Sequence, residues 1–129
     1  MPQKRTVYPT LEEALYLHDR LIERFGGRAG VRDLGLLESA LARPRSGYYE
    51  SLSLQAAALM QSLSQNHAFV DGNKRIAFAL TAIFLKLNGY RLVVGADAAE
   101  RFLIDRVIVG RAELEQIATW VEKHLRKPR

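Results

Sequence analysis

The sequence contains no cysteine in 129 residues. That excludes disulfides, cysteine-ligated zinc and thiol catalysis. The opening segment "MPQKRTVYPT" lacks the apolar centre of a secretory signal. The longest apolar stretch, "IAFALTAIFL", contains a threonine, ends at Lys86 and is too short to span a bilayer. Internal repeats, low-complexity tracts and a domain linker are also missing. Together these absences predict a soluble cytoplasmic protein, folded as a single domain over residues 1–129.

What is present is a modest excess of positive charge and an ordinary apolar content. The formal net charge is +5 and apolar residues make up 48%, so the chain is not disordered by composition. Most arginines stand singly between acidic neighbours, and the one dense run, "KHLRKPR" from Lys123, reads as a solvated tail. This distribution argues against direct nucleic-acid binding as the main function; an acidic partner or a polyphosphate accounts for the excess equally well.

Hydrophobic periodicity predicts a nearly all-helical chain. Thr10 followed by Glu13 is a capping box that starts a first helix, and Gly26-Gly27 stops it. Its buried stripe is Leu11, Leu15, His18, Leu21, Ile22 and Phe25. Asp33 should cap a second helix running to about Ala42, followed by the loop "RPRSGYYESL". A third helix, "SLSLQAAALMQSLSQNH", turns Leu52, Ala56, Leu59, Met60 and Leu63 inward. The fourth runs from near Asn73 to "LNGY" and is apolar almost all round, which predicts a central position. A short strand at Arg91 to Val94, a helix capped by Asp97 and reaching Val109, and a last helix from near Ala112 to Leu125 complete the reading. The expected architecture is an all-α, compact helical bundle around a buried central helix. Phe102 and Trp120 read as core, and His124 as solvated.

The stretch "HAFVDGNKR", residues 67–75, carries the chemistry. It enters the N-terminus of the fourth helix, where free backbone N–H groups and the helix dipole make an anion site. Gly72 lets the backbone turn and approach a ligand closely. Asn73 can cap the helix and offer an amide to a phosphate oxygen. Lys74 and Arg75 add full charges, the arginine with a fork suited to phosphate. Asp71 is a hard oxygen ligand of the kind magnesium takes while bridging phosphates. His67 is a side chain able to accept a proton near neutral pH. Singly, each of these occurs in ordinary turns and caps; together they describe phosphoryl-type transfer to a hydroxyl. Phe69 should anchor the loop by burying its ring.

The same stretch resembles the signature of the Fic/Doc superfamily, HxFx(D/E)GN(G/K)R. The likeness extends from about Leu11 to Trp120 and is stronger to the Doc (death-on-curing) branch. "LHDRLIERFGGRAGVRDLGLLESALARP" (Leu17 to Pro44) and "NKRIAFALTAIFLKLNGY" carry it beyond the motif. The resemblance implies His67 as the base that deprotonates a target hydroxyl, Asp71 as the magnesium ligand, and Gly72, Asn73, Lys74 and Arg75 as the nucleotide phosphate site. Three departures separate the chain from AMP-transferring Fic enzymes: Lys74 for glycine, Phe78 for a second arginine, and Ala68 for proline. Gly72 points the other way, since AMP-transferring members share it.

A Doc-like chain would be a toxin with kinase activity, moving the γ-phosphate of ATP, with Mg2+, to a threonine of elongation factor Tu and halting translation. The alternatives are a Fic-type AMP transferase and a non-enzymatic, basic DNA-binding accessory. The terminal helices lack the (S/T)xxxE(G/N) inhibitory pattern, so the resemblance implies restraint by a separate Phd-type antitoxin received in an apolar groove. It also implies a flap that holds the target backbone beside His67; "RPRSGYYESL", which suits an exposed loop or short β-hairpin, is the candidate, with a plain surface connector as the alternative. Arg28, Arg32 and Asp33 lie in a family-like glycine-rich loop and should hold it by hydrogen bonds, a place for Arg32 near the phosphates being the alternative.

Overall fold

The computed structural model describes residues 5–128. Helix α1, Leu11–Phe25, starts on the expected capping box: the Glu13 N–H donates to Thr10 Oγ1 at 3.1 Å and the Thr10 N–H to Glu13 Oε1 at 2.8 Å. Helix α2, Leu34–Ala42, starts at Asp33, whose carboxylate accepts the Leu36 N–H. A 3₁₀ turn at Arg43–Arg45 follows, then α3, Leu52–Gln65, and α4, Asn73–Leu87. Strand β1, Arg91–Leu92, leads to α5, Ala96–Arg101, which continues as a π-helix over Phe102–Val109. Helix α6, Leu114–His124, and β2, Leu125–Arg126, end the described chain.

The all-α bundle is what the periodicity predicts, but its centre is a helix pair. Helix α3 is the more completely enclosed: Ala56, Ala57, Ala58, Leu59 and Met60 have no exposed surface. Its run of alanines lets α4 approach on one side and α6 on another, because interaxial distance follows the side chains at the contact. On α4, Ile76, Ala77, Leu80, Phe84 and Leu85 face this core, whereas Leu87 is 40% exposed. Helix α4 is central as expected, and α3 shares that position.

Several local expectations give way to tertiary packing. Phe25 is not core; it is 52% exposed at the end of α1. Asp97 sits inside the first turn of α5, after Gly95, and is not its cap. The predicted strand is shorter than Arg91 to Val94, and it pairs antiparallel with β2, so Leu125 and Arg126 are sheet rather than solvated tail. His124 is half-buried, its Nδ1 2.8 Å from the Trp120 carbonyl oxygen. Phe102 and Trp120 stack at 4.1 Å and flank the core instead of filling it.

"RPRSGYYESL" forms no hairpin. Arg43 ties it to α3, donating from Nε to the Tyr49 hydroxyl at 2.8 Å and from a guanidinium NH2 group to Gln61 Oε1 at 2.8 Å and Ser62 Oγ at 3.0 Å.

Thr81, wholly buried on α4, has a hydroxyl without a hydrogen-bond partner. Removing an unpaired buried hydroxyl while keeping the shape relieves its desolvation cost. Thr81→Val should therefore stabilise the fold by about 1 kcal/mol, read as a rise of a few degrees in thermal unfolding. A loss of stability would show that the hydroxyl is paired.

Candidate active site

The loop between α3 and α4 leaves a helix end and must reverse sharply to start the next helix. His67 takes φ +50° to do so, a left-handed conformation that strains a non-glycine residue. The strain is held by Arg32, whose Nε donates to the His67 carbonyl at 2.5 Å and whose guanidinium also reaches the Asn66 carbonyl at 3.1 Å. A cation there also complements the negative end of α3. The main chain around Val31 runs antiparallel beside Phe69: the Arg32 N–H donates to the Ala68 carbonyl at 2.8 Å and the Val70 N–H to the Gly30 carbonyl at 3.0 Å. Phe69 is 1% exposed and anchors the loop as its sequence position suggests.

Asn73 does something other than expected. Its amide is spent on Phe69 in both directions, Oδ1 accepting the Phe69 N–H at 3.1 Å and Nδ2 donating to the Phe69 carbonyl at 3.0 Å. It closes the loop into a ring, and what it can offer a phosphate is its main-chain N–H. The residue before α4 is Gly72, at φ +74°, with no side-chain cap. The first intrahelical bond runs from the Ile76 N–H to the Gly72 carbonyl. The N–H groups of Asn73, Lys74 and Arg75 therefore point out of the helix end as donors. Lys74 and Arg75 stand exposed on this same turn, where cations oppose the dipole unless an anion is shared. Arg75 is steadied by Phe25, its guanidinium 4.6 Å over the ring centre.

Asp71 is the anionic member of the group. Its Oδ2 accepts the Arg28 N–H at 3.0 Å and its Oδ1 accepts the Gly72 N–H at 2.8 Å. These donors, first Arg28 and then Gly72, pull its pKa below the ordinary carboxylate value, with the charges of Arg28 and Arg75 adding to them. Each oxygen accepts a single N–H, so lone pairs stay open on an exposed carboxylate. Among the described residues no cluster of three or more ligating side chains exists. The donor set thus fits a magnesium that arrives with a polyphosphate, not an all-protein cage.

The expected site residues meet on one cavity of about 800 Å³, within the range of small-molecule sites. His67, Asp71, Gly72, Asn73, Lys74 and Arg75 all line it. Its other walls are apolar, among them Phe25, Phe78, Leu103 and Ile108, with Glu100 beside them. The "RPRSGYYESL" segment does not line it and follows the surface-connector reading, while Gly30 to Arg32 runs beside the motif. Phe25, Glu100 and the π-helical residues were invisible to sequence reading, because no pattern marks which apolar or acidic positions face a cavity.

Gly27, in the glycine-rich loop that follows α1, packs against Asp71. A Cβ there would stand 2.8 Å from Asp71 Oδ2, at φ +113°. Its neighbour Gly26 has φ +86° with nothing within 4 Å. Gly27→Ala should cost about 1–2 kcal/mol and displace the carboxylate, whereas Gly26→Ala should cost backbone strain alone. Thermal unfolding of both, with magnesium–nucleotide affinity, separates the two; equal affinities would refute a role for Gly27 in placing Asp71.

Comparison with known proteins shows the family. The Fic/DOC family model matches residues 8–85. A "Toxin Doc" of Mycolicibacterium smegmatis is 46% identical over 101 residues, covering 73% of this chain and 77% of that protein. A "Protein kinase doc" of Escherichia phage P1 is 33% identical over 93 residues, covering 69% of this chain and 74% of that one. The chain belongs to the Fic/DOC family. Among the described residues no helix is long and apolar enough to cross a membrane.

Proposed function

We propose that this chain is a toxin-type protein kinase that transfers the γ-phosphate of ATP to a protein hydroxyl. The observation that carries the reading is an exposed imidazole, His67, on the same cavity as an uncapped helix N-terminus flanked by Lys74 and Arg75. The names of the two relatives, a toxin and a protein kinase, support it. The main-chain N–H groups at the start of α4 and the two cations would hold the polyphosphate. Asp71 would hold the magnesium, which when bound neutralises phosphate charge. His67 would take the proton of the attacking hydroxyl as its oxygen bonds to the γ-phosphorus and the bond to ADP breaks. Lys74 fills space that a glycine would leave for a diphosphate and adds charge there, which favours a nucleotide seated with its terminal phosphate toward His67.

By the same resemblance the acceptor is a threonine of elongation factor Tu, the outcome is arrest of translation in the cytoplasm, and a Phd-type antitoxin supplies restraint. The segment that would hold the acceptor backbone is Gly30 to Arg32. Its bonds to Ala68 and Val70 leave the N–H and C=O of Val31 facing the opposite side. One feature favours AMP transfer as a second reading: position 72 is glycine in a left-handed conformation, the residue AMP-transferring members share.

ATP labelled at the α or the γ phosphate, incubated with purified elongation factor Tu and this protein, decides between them. Label from γ alone is the expected result. Label from α would replace the kinase by the AMP transferase, and label from neither would remove elongation factor Tu as acceptor.

A further inference from the structure

His18 lies on α1, 53 positions before the residue it touches, and the transfer chemistry makes no use of it. It is 1% exposed. Its ring stacks on Phe69 with centroids 3.8 Å apart and planes 9° from parallel, and its Nε2 lies 2.7 Å from the carbonyl oxygen of Asp71. A carbonyl can only accept, so Nε2 carries the proton and donates. The same nitrogen also lies under Gly72, where a Cβ would stand 3.5 Å from it. The ring is thus a floor beneath Phe69, Asp71 and Gly72.

The contact has a directional effect. In a planar trans peptide the C=O and the N–H point in opposite directions. Pinning the Asp71 carbonyl inward, on His18, therefore turns the Gly72 N–H outward, where it meets Asp71 Oδ1 at 2.8 Å beside the open start of α4. Glycine accepts either sign of φ at little cost, so the backbone at Gly72 does not by itself choose this orientation over the flipped one. The flipped peptide would turn a carbonyl oxygen, not a donor, toward the Asp71 carboxylate. Two oxygens of like partial charge would then face each other, and the carboxylate would lose one of the two N–H groups that hold it.

We infer that His18 is a positioning residue: through one hydrogen bond to the Asp71 carbonyl it locks the 71–72 peptide in the orientation that gives the Gly72 N–H to Asp71 Oδ1, and so holds the Asp71 carboxylate beside the open start of α4. This role presupposes the phosphate cradle described under the proposed function. It separates donor from ring, because a Gln amide nitrogen sits as far along the side chain as imidazole Nε2, while an Asn amide stops one carbon short.

The test compares His18→Gln, His18→Asn and His18→Phe in the full chain. Amide hydrogen exchange is measured at Arg28 and Gly72 without ligand, and magnesium–ATP affinity is measured by calorimetry. In His18→Phe, exchange at both amides should quicken about tenfold and affinity fall about tenfold, the size of one lost buried hydrogen bond. His18→Asn should behave likewise, and His18→Gln should stay within about threefold of the parent, since its donor survives. Should the Phe variant fail to fold, the Gln and Asn pair still decides. Unchanged exchange in His18→Asn, or equal losses in Gln and Asn, would overturn the role. A parent that binds no magnesium–ATP would sink the kinase reading instead, while the exchange data would still report on the His18 lock.

Discussion

His67→Ala should lower the rate of phosphate transfer by about 10³-fold, within the span that a positioned general base supplies. The side chain is exposed, on the rim of the cavity, and its own main chain is held by Arg32 rather than by the ring. Losing the imidazole should therefore leave the fold intact, with thermal stability within about 0.5 kcal/mol of the parent. A sharper version uses His67→Asn. The residue sits at φ +50°, and asparagine tolerates that region better than histidine does. This variant should be as inactive as His67→Ala yet equal to or more stable than the parent, so activity and stability move apart. Initial rates of label transfer and thermal unfolding on the same preparations check both halves. Residual transfer within tenfold of the parent would mean that the imidazole is not the base.

How much of this was readable in the sequence follows from distance along the chain. Thr10 with Glu13, Asp33 with Leu36 and Gly26 as a helix stop are all decided within four positions, and each stands where the sequence places it. The chemical groups of the site were readable for the same reason: residues 67–75 lie in one turn and the first turn of one helix. What supports them was not. Arg32 reaches back from 35 positions away, the Arg28 N–H from 43 and His18 from 53. Periodicity marked His18 as inward-facing but could not say that it faces the Asp71 carbonyl.

The errors have the same origin. Phe25 fits the apolar stripe of α1, yet the stripe runs past the end of the packed surface and delivers the ring to Arg75. Tyrosines and a glycine between Arg43 and Leu52 suggested a flap, but Arg43 binds that segment to α3, and the position beside Phe69 goes to Gly30 to Arg32. Pairing of Arg91 with Arg126 brings together segments that no local signal connects.

Asp71→Asn should weaken magnesium–ATP binding by at least about 100-fold, the upper end of what even outer-sphere partners of a metal cost. The substitution keeps the shape and one acceptor but removes the charge. Both carboxylate oxygens now accept main-chain N–H groups, from Arg28 and Gly72, and an amide can accept through only one of its two ends. The loss should therefore exceed that of Lys74→Ala, which leaves those bonds untouched.

The pH dependence of stability offers an independent check, with a definite sign. The folded pKa of Asp71 lies below the ordinary 3.8, because the Arg28 and Gly72 N–H groups favour the charged form. A depressed carboxylate contributes stability that is complete above the unfolded value and is lost as pH falls through the folded one. At neutral pH the parent should thus be more stable than Asp71→Asn, and the gap should close only below pH 3.8. Unfolding midpoints in denaturant, taken from neutral pH into acid, measure this directly. A gap already closed at pH 5 would show that the two N–H bonds do not hold the carboxylate as described, and the same shortfall should then appear in magnesium–ATP affinity.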